Sequence, residues 1–229
     1  MKNIGIIGAM DEEIENLLNK LTVEKEEIKN NIIFYLCSYD NKKIIIVKSG
    51  IGKVNSAVVT QILISNYNPC CIINTGIAGA ISKDVTVLDL VIASETMQYD
   101  VDVRNFGYKL GQIPRMKEYI FKTDQYLTDK TKKSMGKDDK YHIGRIISGD
   151  KFISNIETKE NLSKEFNALC ADMESGSIGQ VCYINKTPYI AIRCISDNAD
   201  ESSIKKYKDF DNKAAFKSSK LILSLLNRI

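Results

Sequence analysis

A single α/β domain over residues 1–229, with a central mixed β-sheet flanked by helices on both faces, is the architecture this sequence predicts. Three observations carry it. Short apolar runs rich in β-branched residues recur along the chain, helical stretches separate most of them, and nearly every strand-like run stops at small or polar residues. The strand-like runs are NIGII from Asn3, NIIFYLCSY from Asn31, KIIIVKS from Lys43, CCIINTG from Cys70, LDLVIAS from Leu88, IGRIISGD from Ile143, ALCADM from Ala168 and YIAIRCIS from Tyr189. Asp40-Asn41, between the second and third, is a hairpin signal. Apolar spacing and the scarcity of Gly and Pro predict helices over 11–21, 54–65, 156–166, 175–183 and 212–226. Stretches 99–115 and 197–209 read as long loops, which in compact domains often carry function.

Composition narrows the classes. Hydrophobic residues are 44% and charged residues 27%, the proportions of a globular chain with a sizeable core. The 32 basic and 29 acidic residues are well mixed, so no footprint for nucleic acid or an anionic membrane stands out, and lysine-rich segments such as 205–208 read as solvated faces. No apolar run approaches the ~20 residues that span a bilayer. The opening MKNIGIIGAMDEE has too short an apolar core and too early an acidic cluster for a signal peptide, so a cytoplasmic location is expected. Cys37, Cys70, Cys71, Cys170, Cys182 and Cys194 sit mostly beside aliphatic residues without C-x-x-C spacing, and read as reduced core thiols. The single histidine, His142, excludes a His-rich metal site and reads as structural.

The strand stops are Gly8-Ala9-Met10, Ser49-Gly50, Asn74-Thr75-Gly76, Ser148-Gly149-Asp150, Met173-Glu174 and Ser196-Asp197. Ligands of α/β sheets bind at the carboxyl ends of strands, so the six mark one candidate site; singly, each also reads as a turn or helix cap. GIIGAM is not G-x-G-x-x-G, which argues against a dinucleotide. SGIGKVNSA, 49–57, lacks phosphate-loop spacing and reads as a strand-to-helix turn, although its glycines could bring backbone N–H groups close to a polar ligand. Arg193 stands among Ile190, Ile192 and Ile195, and an unpaired buried ion costs several kcal/mol, so something acidic or polar must meet it. Glu13, Glu174 and Asp197 singly suit helix N-termini and an Asx-turn. On one sheet edge with Arg193 they could instead divide the labour of acid-catalysed bond cleavage.

Taken together, IGIIGAMDEEI, KSGIGKVNSA, IINTGIAGA, DVDVRNFGY, GQIP, SGDKFI, ADMES and IRCISDNAD resemble the 5′-methylthioadenosine/S-adenosylhomocysteine nucleosidases of the nucleoside phosphorylase superfamily, in order from Ile4 to about Phe210. The resemblance implies a nucleoside phosphorylase-like fold that cleaves the N-glycosidic bond of 5′-thioadenosines, and of 5′-deoxyadenosine, with water and without metal or organic cofactor. By the same resemblance Glu13 activates the water, Asp197 protonates adenine N7, and Arg193 sits near the water and ribose. Glu174 holds the ribose hydroxyls with Met173 against the sugar, Phe152 stacks on adenine, and the Ile153 backbone bonds the adenine edge. Ala9, Gly79 and Ser196 are further implied substrate contacts. A homodimer is expected, in which Met10, Ile51 and Tyr207 form the 5′-alkylthio pocket with Val103, Phe106 and Pro114 of the partner subunit. The sequence departs from the family pattern at Ile77, where serine is frequent, at Tyr99 for histidine, at Asp11 and Asp172 for glutamates, and at Tyr207 for phenylalanine. A phosphate-dependent purine nucleoside phosphorylase, a futalosine-type nucleosidase and a non-catalytic nucleoside-binding protein are the alternatives. Asn74 and Ile77, where a phosphate site would want cationic or hydroxyl ligands, favour hydrolysis.

Overall fold

A computed structural model describes residues 3–229, the Lys206 side chain excepted. Met1 and Lys2, at the head of the stretch weighed as a leader, lie outside the described residues.

The parallel centre of the sheet is β1 (Asn3–Gly8) between β4 (Lys42–Lys48) and β5 (Cys71–Ala80). These strands are apolar on both sides because helices cover both faces. Ile4, Ile6, Ile44, Ile46 and Ile73 pack with Ile14 and Leu17 of α1 (Asp11–Lys20) and with Leu221 and Ile222 of α6 (Ser203–Leu226). Their alternates Ile7, Ile45, Val47 and Ile72 pack with Val59 and Leu63 of α2 (Lys53–Tyr67) and with Ile178 and Cys182 of α5 (Ser175–Asn185). The two-residue period of a strand thus serves two cores at once, each fully buried aliphatic side chain stabilising by about 1.5–3 kcal/mol.

Outward from β4 the sheet continues through β3 (Ile32–Tyr39) to the edge strand β2 (Thr22–Lys29), both pairings antiparallel. Asp40 and Asn41 adopt φ of 50° and 64°, the left-handed pair of a type I′ hairpin, as expected. Asn30 and Asn31, at 51° and 61°, make the same turn between β2 and β3. Sequence reading placed no strand at β2, since TVEKEEIK offers little apolar alternation; its charge suits an exposed edge, where it discourages pairing with another chain.

On the other side the sheet closes on itself. β5 pairs with β10 (Tyr189–Asp197), β10 with β6 (Leu90–Gln98), β6 with β8 (Tyr141–Ser148), β8 with β9 (Cys170–Asp172), and β9 returns to β5. The short β7 (Ile120–Lys122) adds to β6. Closure sets Arg193 opposite Gly76, and both Asp197 and Ala171 opposite Gly79.

Three expectations are corrected here. The run at Asn74-Thr75-Gly76 does not stop; β5 continues to Ala80 because β10 and β9 supply its hydrogen-bonding partners. The loop expected over 197–209 ends early, since α6 begins at Ser203, nine residues before the predicted 212, with Ser203 buried. Cys70 is exposed, whereas the other five cysteines are buried as core thiols. α3 (Gln125–Lys133) was also unforeseen, while α4 (Ile156–Phe166) lies where predicted. His142 bonds Asp89 at 3.0 Å, tying β8 to the segment ahead of β6, consistent with a structural role. Among the described residues no helix is long and apolar enough to cross a membrane.

Candidate active site

The carboxyl ends of β1, β9 and β10, together with the last turns of β5, enclose a cavity of about 390 Å³. Glu13, in the first turn of α1, folds back over the end of β1. Its Oε2 accepts from the Ala9 and Met10 amides at 2.6 and 3.2 Å, and its Oε1 accepts from the Ile77 amide at 3.0 Å. Burial pushes its pKa above the usual carboxylate value, against the pull of Arg193 and the three amides. Gly76 makes this approach feasible: a Cβ there would stand 2.6 Å from Glu13 Oε1 and 3.4 Å from Arg193 Cζ.

Arg193 is 1% exposed and does not line the cavity. Its Nη1 donates to the carbonyls of Asn74 and Ile192 at 3.3 and 3.0 Å, and its Nη2 donates to Asn74 Oδ1 at 2.6 Å. The same Nη2 is 2.7 Å from Asp172 Oδ2, an ion pair with both partners buried. The partner that sequence reasoning sought among the site acids is therefore Asp172, noted beforehand only as a departure from glutamate. Asp172 also accepts from Ser148 Oγ and from the Glu174 and Ser175 amides, the latter at 3.3 Å.

Glu174 lies at the start of α5, and its Oε1 accepts from the Gly52 amide at 2.9 Å. Burial, with neighbouring Asp172, pushes its pKa up to about 8. The next amide of the α2 N-terminus, Lys53, donates to Asp150 Oδ1 at 2.8 Å. The glycine-rich turn thus presents its amides to two of the chain's own carboxylates. Asp197, 2% exposed, accepts from Ser196 Oγ at 2.9 Å and from the Ala199 amide at 2.8 Å, the Asx-turn read from sequence. Ala199 sits at φ 53°, a strained setting for a residue with a Cβ.

Tyr207 of α6 sits edge-on to Phe152 with ring centroids 5.8 Å apart, and its hydroxyl donates to Met10 Sδ at 3.4 Å. Ala9, Ile51, Gly79, Ile153, Met173 and Ser196 also line the cavity, so every own-chain residue given a role by the resemblance lines it except Arg193, whereas of the six strand stops Ser49-Gly50, Asn74-Thr75-Gly76 and Ser148-Gly149-Asp150 do not. Val103, Phe106 and Pro114 lie outside it, with Phe106 82% exposed.

The model of the phosphorylase superfamily matches residues 3–227. A 5′-methylthioadenosine/S-adenosylhomocysteine nucleosidase from Halalkalibacterium halodurans is 40% identical over 233 residues, covering all of both chains. The chain belongs to this nucleosidase family of the phosphorylase superfamily. Among solved structures, the Helicobacter pylori nucleosidase of that name with butyl-thio-DADMe-Immucillin-A superposes with a TM-score of 0.96 at 34% identity, covering 100% of this chain and 99% of that one. The H. pylori futalosine hydrolase matches at the same TM-score and identity, with 98% of its chain covered. The cavity is also lined by Lys151, Asp172, Ile204 and Lys208, to which the sequence assigned no role. The need of buried Arg193 for an anion was the signal for Asp172. Ile204 and Lys208 were hidden by the loop reading of 197–209, and Lys151 resembles any surface lysine.

Proposed function

We propose that the chain hydrolyses the N-glycosidic bond of 5′-methylthioadenosine and S-adenosylhomocysteine, and also of 5′-deoxyadenosine, releasing adenine and the corresponding ribose. The observation that carries this reading is that Glu13, Glu174 and Asp197, from three distant parts of the chain, open into one cavity. Adenine departs poorly unless protonated, and its departure builds positive charge on the ribose. Asp197 gives its proton to N7 as the C1′–N9 bond breaks and the bonding electrons pass to the base. Water bonds to C1′ and yields a proton to Glu13, while Glu174 and Met173 hold the sugar and Phe152 and Ile153 the purine. General acid and general base each supply roughly 10²–10⁴ in rate. The scheme uses no metal or organic cofactor.

The apolar mouth at Met10, Ile51 and Tyr207 takes the 5′-alkylthio group, closed by Val103, Phe106 and Pro114 of the partner subunit in a homodimer. Exposed Phe106, Val54 and Ile184, at 82%, 73% and 60%, support such an assembly, because apolar surface of this kind is usually covered. Phosphate attack is disfavoured: an anion at the α2 N-terminus would meet Glu174 and Asp150, which already hold its amides. A second reading, futalosine hydrolysis, is favoured by the likeness to the H. pylori futalosine hydrolase and by Lys151, Lys208 and the Tyr207 hydroxyl at the cavity.

The test is adenine release from methylthioadenosine in phosphate-free buffer, with futalosine in parallel. Water-dependent release is expected. Release only on adding phosphate would make the protein a phosphorylase, preferential cleavage of futalosine would select the second reading, and tight binding without product would make it a nucleoside sensor.

A further inference from the structure

Among the described residues Arg193 is the one buried cation, and the buried carboxylates Asp172, Glu13 and Glu174 are the anions whose charge acts on it. Any of them could hold it. The guanidinium lies against Asp172 at 2.7 Å, and among the described residues no cation stands within ion-pair distance of Glu13, whose hydrogen bonds come from backbone amides. The guanidinium makes three hydrogen bonds, two from Nη1 to carbonyls and one from Nη2 to Asn74 Oδ1, and Nη2 also makes the ion pair with Asp172. The Nε N–H is the buried side-chain polar group left without a hydrogen-bond partner among the described residues. Glu13 and the guanidinium nonetheless approach the same glycine, Gly76, and each charge acts on the other, so Glu13 is the neighbouring anion with which Asp172 competes for Arg193.

That difference decides the chemistry. A carboxylate in contact with a guanidinium is a weaker base, because the cation stabilises its charged form. Asp172 is anchored independently of Arg193, by Ser148 Oγ and by the Glu174 and Ser175 amides at the head of α5. It is an anchored anion, and the guanidinium that meets it is itself held in place by Asn74 and the Ile192 carbonyl.

We propose that Asp172 is a positioning residue for the hydrolytic reaction: its carboxylate captures Arg193, keeping the guanidinium off Glu13 and leaving Glu13 free to take the proton of the attacking water. The assignment rests on the nucleosidase reading of the site. It predicts a loss in the chemical step and not in binding, since Asp172→Asn removes the charge paired with Arg193, leaving the cation to bias Glu13, yet keeps the side chain's size.

The experiment compares wild type, Asp172→Asn and Asp172→Glu in methylthioadenosine hydrolysis, with the Kd for adenine measured by calorimetry. For Asp172→Asn, kcat should fall by about thirtyfold or more while KM and the adenine Kd stay within about threefold of wild type. Asp172→Glu, which restores the anion, should bring kcat back to within about fivefold of wild type. An Asn variant that keeps pace with wild type, a kcat loss matched by an equal loss of binding, or a Glu variant as impaired as the Asn variant would each overturn the assignment. If the Asn variant is not recovered folded, Asp172→Glu carries the test: kcat retained supports the role of the charge, and a tenfold or greater loss at unchanged KM, by order of magnitude, overturns it. A wild-type protein that releases no adenine would instead sink the nucleosidase reading, and this assignment with it.

Discussion

Glu174 keeps its proton to higher pH than a carboxylic acid in water, because burial and Asp172 oppose its ionisation. Its pKa is about 8 in the folded chain against a reference value of 4.5. Between these values the folded state binds the extra proton, so stability falls as pH rises; the contribution is whole below the lower value and gone above the upper. The thermal midpoint of Glu174→Gln should therefore change less than that of wild type across this window, and parallel curves would refute burial as the cause. Asp197 calls for a different experiment. Asp197→Asn keeps the side chain's size but carries no transferable proton, so turnover of methylthioadenosine should drop by roughly 10²–10⁴ with adenine binding little changed. Near-normal turnover would remove Asp197 as the acid. At this scale the sequence disclosed that Arg193 needed a partner, through its apolar neighbours. It did not disclose Asp172, because only closure of the sheet brings β9 back to β5, the strand on which β10 also pairs.

Elements were legible where both faces are buried or where turn chemistry is explicit. β1, β4, β5 and β10 are continuous apolar runs, and Asp40-Asn41 announces its hairpin. β2 was invisible because an exposed edge strand has no core-facing pattern to reveal it. The first turns of α6 were missed for a related reason: charge around Tyr207 masks a helix whose inner side carries Ser203 and Tyr207. The Asp40-Asn41 turn supplies a stability prediction. Asn41→Val puts a β-branched residue at φ 64°, and the urea midpoint should report a loss of about 1–2 kcal/mol, with activity unchanged because the turn lies far from the cavity.

For the whole molecule, fold class follows from residue patterning, but strand order and assembly do not, since pairing is long-range and exposed apolar side chains look like core in a linear sequence. Val54 and Ile184 are exposed on α2 and α5. The homodimer reading predicts that Val54→Lys combined with Ile184→Lys yields monomers in sedimentation equilibrium. Methylthioadenosine turnover should weaken markedly in that variant while the single-chain fold persists by circular dichroism; an unchanged sedimentation profile with full activity would remove that surface from the assembly. The head of α2 has a consequence for the direction of metabolism. In the proposed reaction, a cradle already filled by the protein's own acids cannot hand the sugar to an inorganic acceptor, so the energy of the broken linkage is not conserved in a phosphorylated product. The protein would act as a one-way drain, clearing spent nucleosides without any route for running them backwards.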